Sequence, residues 1–339
     1  MGGMAGRPAL AFAFDLPVEA LFAPADAELL AGVCRILDSE PLQRLDDARA
    51  AELLAEADIL VSGWGCPLID ARVLATAPRL RLIAHAAGTI RGLVTPAVFA
   101  RGIAVTNAAD ANAVPVAEYT LAAILLANKR VLEFAQTYRR ERRHIHPSHC
   151  AEPSVGNWQK TIGIVGASRI GRRVIELLKP FDMIVLVCDP YLSAEEAAVL
   201  GAEKRELEAL LTGSDVVSLH APLLPETRHM LDARRLGLMR PGATLINTAR
   251  GGLVDQDALI AELVSGRISA VLDVTDPDPL PADNVLYDLP NVLLTPHLAG
   301  AVGDERHRFG RLIAAEVQRF ANGEPLRHAI DAASFARQA

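Results

Sequence analysis

The fold predicted for this chain is decided by the stretch Thr161-Ile162-Gly163-Ile164-Val165-Gly166-Ala167-Ser168-Arg169-Ile170-Gly171-Arg172-Arg173-Val174. An apolar, β-branched run ends at a glycine, turns through small residues and continues with helical spacing. This order is typical of the strand-turn-helix in a dinucleotide-binding βαβ unit. Gly166 permits a tight turn out of the strand, and Gly171 permits close packing of the helix on the sheet.

The free N–H groups at the start of the following helix are expected to face a pyrophosphate. The residues predicted to contact it are Gly166, Ser168, Arg169, Ile170 and Gly171. Ser168 stands where the middle glycine of the G-x-G-x-x-G fingerprint is usual. Serine is small and its hydroxyl is able to donate to a phosphate oxygen, so we interpret it as a tolerated departure.

A second predicted strand, Met183–Cys188, ends at Asp189, which lies 18 residues beyond Gly171. Such folds place at this position a carboxylate that accepts hydrogen bonds from the adenosine ribose hydroxyls. The alternative is a strand-end aspartate that caps the turn at Pro190. The sequence has no Arg or Lys beside Asp189 and Pro190, so a 2′-phosphate would meet an unpaired carboxylate. The pattern therefore predicts NAD rather than NADP.

The composition indicates an α/β protein of two domains. The chain has 339 residues, of which 51% are hydrophobic, 22% charged and 4% aromatic, so its cores must consist mainly of Ala, Val, Leu and Ile. A net charge of −7 disfavours binding to nucleic acid or to anionic membranes. Four scattered cysteines without C-x-x-C spacing, and no recognisable targeting or bilayer-spanning segment, predict a cytoplasmic protein.

Short apolar runs alternate with helical segments along the chain. The predicted strands besides the two above are Ala9–Phe14, Asp58–Ser62, Leu80–Ala84, Gly102–Thr106, Asp215–Leu219, Ala243–Ile246, Ser269–Leu272 and Val292–Leu294. Helical spacing predicts a helix over Ala25–Leu37, one long helix over Ala113–Tyr138 with Pro115 in its first turn, and a last helix over Gly303–Asn322. The alternation predicts doubly wound parallel sheets with ligands at the carboxyl ends of the strands.

Two polar segments follow the long predicted helix. Three histidines and one cysteine lie between His144 and Cys150, but Pro147 and the polar surroundings favour a solvated loop, so no metal site is predicted. The run Arg139–Arg143 is interpreted as a solvated helix end, with phosphate binding or an interface as the alternative.

Three segments at predicted strand ends resemble the signature segments of the D-isomer-specific 2-hydroxyacid dehydrogenases. They are Val217–Thr227, Ile246–Asp255 and Thr295–Gly300, and Gly102–Asn107 with Val116–Glu118 extends the resemblance over nearly the whole chain. The resemblance implies a Rossmann-type NAD-binding domain, residues 110–298, inserted in a flavodoxin-like substrate-binding domain, residues 1–109 and 299–339. It also implies NAD(H) in the cleft between the domains and a homodimer.

The family's catalytic set is an Arg, an acid and a His, which the resemblance assigns to Arg250, Asp278 and His297. The family normally has Glu before the proline, so Asp278 is one methylene shorter, and Asp276 is the alternative acid. Arg250 suits the substrate carboxylate and ketone, and a histidine beside a carboxylate suits proton transfer. Without the resemblance, Arg250 would be a structural ion-pair residue, Asp278 a turn residue and His297 a strand-end cap.

The resemblance also implies the remaining contacts. Those to the cofactor are Asp189, Pro190, His220, Ala221, Pro222, Thr227, Thr248, Ala249, Arg250, Asp273, His297, Ala299 and Gly300. The substrate contacts are Ala87, Gly88 and Thr89, through backbone N–H groups, together with Arg250 and His297. The segment Ile90–Leu93 departs from the family pattern, and its Arg91 is interpreted as a solvated cation, with recognition of a second anionic group as the alternative.

These observations predict an NAD-dependent enzyme that transfers hydride between NADH and a small 2-oxo acid to give a D-2-hydroxy acid, such as a glyoxylate or hydroxypyruvate reductase. An alternative from another class is an NAD-sensing, corepressor-like binding module without significant turnover. Formate or phosphite oxidation, known among relatives, would need further site residues that the sequence does not reveal.

Overall fold

A computed structural model describes residues 6–143 and 155–337. The chain divides into two compact units. The discontinuous unit contains the described residues up to Asn112 together with those from Ala301 onward. The continuous unit contains the described residues from Ala113 to Gly300.

Each unit is built on a parallel sheet. The strands of the discontinuous unit are β1 (Ala9–Ala13), β2 (Arg35–Ile36), β3 (Ile59–Ser62), β4 (Leu82–His85) and β5 (Ala104–Asn107). They pair in the order β2-β1-β3-β4-β5. The strands of the continuous unit are β6 (Thr161–Val165), β7 (Ile184–Cys188), β8 (Glu203–Lys204), β9 (Val216–Leu219), β10 (Thr244–Asn247), β11 (Ser269–Leu272) and β12 (Val292–Leu294). They pair in the order β12-β11-β10-β9-β6-β7-β8. The predicted α/β class with two parallel sheets is confirmed.

Helices connect the strands and cover the sheets. They are α1 (Pro24–Val33), α2 (Ala48–Glu56), α3 (Ala71–Thr76), α4 (Pro96–Ala100), α5 (Ala109–Asn128), α6 (Val131–Glu141), α7 (Arg169–Leu178), α8 (Ala194–Leu200), α9 (Leu207–Gly213), α10 (Ala233–Leu238), α11 (Gln256–Val264), α12 (His307–Ala321) and α13 (Ala332–Arg337). Short 3₁₀ turns occur at Val18–Ala20, Gly251–Leu253, Val285–Tyr287 and Gly303–Arg306.

Alternate residues of each strand pack into different cores, as a period of two requires. In β3, Leu60 joins one hydrophobic cluster while Ile59 and Val61 join the other. The second of these clusters is completed by α12, whose Phe309 and Ile313 pack with residues of β1. In the continuous unit the strands likewise contribute to two clusters. Burial on both faces explains why the strands are short, almost uninterrupted apolar runs.

The single long helix predicted over Ala113–Tyr138 is wrong. The structure has two helices, α5 and α6, separated at Lys129 and Arg130. Arg130 adopts a left-handed backbone with φ 49°, which an α-helix cannot contain. No glycine or proline marks the break, so apolar spacing alone did not reveal it. Because α5 begins at Ala109, Pro115 lies inside the helix rather than in its first turn.

The helix predicted over Ala25–Leu37 is also wrong in its last four residues. Helix α1 ends at Val33, and Cys34 is extended with φ −123° and ψ 160°. Arg35 and Ile36 then pair with Ala9 and Leu10 of β1. A two-residue strand is too short to show a periodicity, so β2 and the equally short β8 were not predicted. The last predicted helix begins as a 3₁₀ turn over Gly303–Arg306 before α12.

The histidine and cysteine segment His144–Cys150 lies outside the described residues. Within residues 6–143 and 155–337, no three His, Cys, Asp or Glu side chains are arranged to hold a metal ion. Over the same ranges, none of the helices combines the length and the apolar character needed to cross a membrane.

Candidate active site

The glycines of the dinucleotide turn are required by close backbone contacts. Gly166, directly after β6, has φ 98°, and a Cβ there would lie 2.6 Å from the Ala221 nitrogen. A Cβ on Gly171 would overlap the Gly166 carbonyl oxygen. The turn therefore packs against the segment that follows β9, and this backbone approach leaves room only for hydrogen atoms at both positions.

Ser168, at the position of the missing glycine, is the N-cap of α7. Its Oγ accepts a hydrogen bond from the Gly171 N–H at 3.3 Å. The hydroxyl hydrogen remains able to donate outward. Helix α7 has ten residues and begins at Arg169, so its N-terminal N–H groups and dipole lie at the turn, as a pyrophosphate requires. The turn thus fits a dinucleotide.

Asp189 at the end of β7 is held in place by two backbone donors. Its Oδ2 accepts from the Ala167 N–H at 2.7 Å, and its Oδ1 accepts from the Tyr191 N–H at 2.8 Å. It therefore ties the dinucleotide turn to β7 and also caps its own turn, as the alternative interpretation expected. Each oxygen keeps a second lone pair for a ribose hydroxyl, so the two interpretations are compatible.

The segment His220–Thr227 follows β9. His220 is buried, with its Nε2 2.9 Å from the Ser218 hydroxyl, and burial lowers its pKa to about 3. The ring is therefore neutral at physiological pH. Among the described residues its buried Nδ1 has no partner. Thr227 donates to the Pro222 carbonyl at 2.6 Å and accepts from the Leu224 N–H at 2.7 Å, so its hydroxyl shapes this loop.

Arg250 lies in a turn that Asn247 shapes. The Asn247 side chain donates to the Arg250 carbonyl at 2.9 Å and accepts from the Ala249 N–H at 3.1 Å. Thr248 lies in the same turn, with its hydroxyl 3.2 Å from that of Thr120. Burial lowers the pKa of the Arg250 guanidinium, although arginine stays charged at neutral pH. Asn247 was not among the predicted site residues, but its place in the quoted Ile246–Asp255 segment was the available signal.

The carboxylate of Asp273 organises the loop after β12. It is buried and accepts from the Thr295 hydroxyl at 2.6 Å, from the Leu298 N–H at 2.8 Å and from the Ala299 N–H at 2.9 Å. The predicted contact of Asp273 with the cofactor stays a prediction. What the structure adds is that Asp273 holds the segment that carries His297.

Tyr119 of α5 extends this network. Its hydroxyl lies 2.9 Å from Thr295 Oγ1, and because Thr295 donates to Asp273, the tyrosine is the donor of this bond. Burial raises the pKa of the Tyr119 phenol, so it stays protonated. Sequence reasoning quoted Val116–Glu118 but missed its neighbour Tyr119, whose role depends on contacts with distant residues.

The structure brings Asp278 and His297 together. His297 Nδ1 lies 2.9 Å from Asp278 Oδ2, so the shorter side chain does reach the histidine. The His297 backbone has φ 55°, and its N–H bonds to the Asp273 and Thr295 carbonyls at 3.0 Å. With Nδ1 paired, Nε2 is the nitrogen left for another partner.

The alternative acid, Asp276, has a different partner. Its Oδ2 lies 3.1 Å from a guanidinium nitrogen of Arg228. The structure therefore favours Asp278 as the acid beside His297.

The predicted substrate-binding residues Ala87, Gly88 and Thr89 lie in the discontinuous unit, directly after β4. The Ala87 carbonyl accepts from the Ala108 N–H at 3.0 Å, and the Gly88 carbonyl accepts from Asn107 Nδ2 at 2.7 Å. In the part of the chain that the structure describes, the N–H groups of Ala87 and Gly88 have no acceptor. A pair of backbone donors with inward carbonyls is suited to an anion.

The predicted residues are thus distributed over both units. Arg250, Asp278, His297 and all predicted cofactor contacts belong to the continuous unit, whereas Ala87, Gly88 and Thr89 belong to the discontinuous unit. Arg91 is exposed on the surface of the discontinuous unit, and its N–H donates to Thr89 Oγ1 at 3.2 Å.

Comparison with known proteins identifies one family. The sequence model described as "D-isomer specific 2-hydroxyacid dehydrogenase, NAD binding domain" matches residues 121–299. A D-3-phosphoglycerate dehydrogenase of Mycobacterium bovis is 36% identical over 296 residues, which cover 86% of this chain and 55% of the relative. The chain therefore spans about half the length of that relative.

Two further proteins are similar over most of their length. A glyoxylate reductase of Korarchaeum cryptofilum is 38% identical over 277 residues, which cover 80% of this chain and 82% of the relative. The crystal structure of a phosphoglycerate oxidoreductase from Rhizobium etli superposes with a TM-score of 0.80 at 26% identity, covering 96% of this chain and 98% of that one.

We expect Asp273→Asn to destabilise the continuous unit by about 1–3 kcal/mol, because an amide nitrogen would face one of three buried donors. Asp276→Asn is the matched control in the same segment. It removes a partly exposed ion pair and should cost at most about 1 kcal/mol. The free energy of unfolding in urea measures both changes, and equal effects would contradict the role given to Asp273.

Proposed function

Because the chain belongs to the D-isomer-specific 2-hydroxyacid dehydrogenase family, we propose that it is an NAD-dependent oxidoreductase that reduces a small 2-oxo acid to a D-2-hydroxy acid. The observation that carries the proposal is the 2.9 Å pair of His297 and Asp278 in the unit that also holds the dinucleotide turn. The relatives favour this activity over a corepressor-like module, and the glyoxylate reductase supports glyoxylate among the two predicted substrates, glyoxylate and hydroxypyruvate.

The proposal assigns a role to each unit. Residues 110–298 act as the NAD-binding domain, inserted in a substrate-binding domain of residues 1–109 and 299–339. Free Cys34, Cys66 and Cys188 suit a reducing cytoplasm. Exposed Leu126, Val131 and Tyr138 on α5 and α6 supply apolar surface for a homodimer.

NADH, when bound, supplies the hydride. Gly166, Ser168 and the start of α7 would hold its pyrophosphate, while Asp189 would accept hydrogen bonds from its adenosine ribose. The close backbone contacts at Gly166 and Gly171 and the fixed Asp189 carboxylate support this assignment.

The side chains of the chain itself supply the rest of the reaction. Arg250 binds the substrate carboxylate and polarises the ketone through its planar, permanently charged guanidinium. His297 Nε2 donates a proton to the oxygen that becomes the hydroxyl, and Asp278 at Nδ1 orients the ring. The N–H groups of Ala87, Gly88 and Thr89 provide donors for the carboxylate.

The activity is tested by the loss of NADH absorbance with a panel of 2-oxo acids. The panel should include glyoxylate, hydroxypyruvate, 3-phosphohydroxypyruvate, pyruvate and bulkier 2-oxo acids. Turnover with at least one member is expected, and the ratio of kcat/KM values identifies the substrate class. A protein that binds NADH but turns over no member would refute the proposal and favour the binding module.

Substitutions at the catalytic set should have separable effects. His297→Ala should lower kcat roughly 10²- to 10⁴-fold, because it removes the proton donor. Asp278→Asn should lower kcat less than His297→Ala does, because the ring loses its charged partner but keeps a hydrogen-bonding side chain at Nδ1. Arg250→Ala should raise KM for the oxo acid and lower kcat, because this cation acts in both ground and transition states.

The control for the acid is Asp276→Asn, which alters the carboxylate paired with Arg228. Its kcat should equal that of the wild type. If Asp278→Asn also keeps the wild-type kcat, Asp278 does not act on the histidine.

Asp189 should favour NADH over NADPH by at least about tenfold in kcat/KM, since one uncompensated charge contact is worth about 1.4 kcal/mol or more. Asp189→Ala should narrow this preference and leave kcat with saturating NADH nearly unchanged. Asp182→Ala, an exposed carboxylate before β7, is the control and should keep the preference. Steady-state kinetics with both cofactors measure the ratio, and equal use by the wild type would contradict this role.

A further inference from the structure

His85 is a buried histidine with no assigned role at the end of β4. It is 4% exposed and stands opposite Ser62, the last residue of β3, in the register of the sheet. The Ser62 hydroxyl lies 3.0 Å from His85 Nδ1. Directly after His85 comes the loop Ala86–Thr89. The Ala86 N–H donates to the Ser62 carbonyl at 2.7 Å, and the N–H groups of Ala87, Gly88 and Thr89 are the proposed donors for the substrate carboxylate.

The imidazole also bonds to the main chain of that loop. Burial lowers the pKa of His85 to about 4, and a hydrogen bond to the Thr89 backbone opposes the shift. A bond that favours the protonated ring is one in which a ring N–H donates to a carbonyl oxygen. Since Nδ1 faces Ser62, the ring is neutral with its hydrogen on Nε2, which donates to Thr89, while Nδ1 accepts from the Ser62 hydroxyl.

The carbonyls of the last three loop residues are consequently turned toward the protein. Ala87 O bonds to the Ala108 N–H, Gly88 O bonds to the Asn107 side chain, and Thr89 O bonds to His85. A peptide plane whose carbonyl points inward directs the N–H of the next residue the opposite way. His85 sets the last of these planes, the Thr89–Ile90 peptide, and so anchors the C-terminal end of the loop that carries the Ala87, Gly88 and Thr89 N–H groups.

We propose that His85 is a positioning residue that keeps the loop Ala86–Thr89 in the conformation that accepts a carboxylate. The inference deepens the proposed function and rests on it, since the carboxylate is that of the 2-oxo acid. Ser62 orients the ring, so the pair acts as one unit. A neutral ring does not attract the anion itself, and its effect is on the direction of the backbone donors.

The test compares four variants of the full-length protein. His85→Leu removes both ring bonds, His85→Gln retains a side-chain donor for Thr89, and Ser62→Ala removes only the partner that orients the ring. Arg101→Leu is the matched control. Arg101 donates to the Ala77 and Pro78 carbonyls at 3.0 and 3.3 Å. These residues precede β4, so the bonds lie near the amino end of that strand, whereas His85 lies at its carboxyl end.

Three measurements are made on each variant. They are amide hydrogen exchange of residues 86–90, calorimetric binding of oxamate with and without NADH, and steady-state kinetics with the best 2-oxo acid. We expect His85→Leu to speed exchange in the loop, to weaken oxamate binding and to raise KM for the oxo acid about tenfold, the effect of one lost hydrogen bond. KM for NADH and the pH profile should stay unchanged.

His85→Gln should recover part of the loss, Ser62→Ala should give a smaller loss, and Arg101→Leu should affect none of these quantities beyond stability. Unchanged exchange and affinity in both His85→Leu and Ser62→Ala would overturn the inference, as would equal effects of Arg101→Leu. If His85→Leu does not fold, Ser62→Ala and His85→Gln decide. Absence of turnover in the wild type refutes the proposed function instead, while exchange and oxamate binding still test His85.

Discussion

The arrangement of the candidate site depends on the hydrogen bonds that the buried Asp273 carboxylate accepts. Thr295, Leu298 and Ala299 all donate to it, so the backbone on both sides of His297 is tied to the end of β11. This bonding offsets the cost of the left-handed backbone at His297, which a non-glycine residue adopts only when its surroundings enforce it. The ring can then meet Asp278, although that acid is one methylene shorter than usual in the family.

Three histidines stand at strand ends, and their surroundings give them different properties. His85 and His220 are buried, each beside a serine hydroxyl, and burial lowers their pKa values to about 4 and about 3. Both are therefore neutral hydrogen-bonding groups near neutral pH. His297, with its side chain 55% exposed, faces a carboxylate instead. Burial thus distinguishes His85 and His220 from His297, the histidine proposed as the proton donor.

Sequence reasoning was most accurate where local chemistry decides the structure. The glycine turn, the strands Ser269–Leu272 and Val292–Leu294 and the family were predicted, because apolar runs and close backbone contacts restrict residue types locally. The break at Arg130 and the strand Arg35–Ile36 were missed, since neither has a glycine, a proline or a periodic pattern. The choice between Asp276 and Asp278 needed the structure, because both residues precede prolines. Only the fold shows that Asp276 forms an ion pair with Arg228. The roles of Tyr119 and Asn247 likewise arise from distant partners.

The discontinuous unit consists of two chain segments, and this division sets the order in which the two units can complete their folding during synthesis. The first 112 residues supply all five strands of their sheet, but the core beside β1 also needs Phe309 and Ile313 of α12. The intervening segment up to Gly300 contains every strand of its own sheet, and it leaves the ribosome before α12 does. In the nascent chain this apolar sheet face therefore stays incompletely covered until α12 has been synthesised, after the whole continuous unit, and this face is the one on which a chaperone would act.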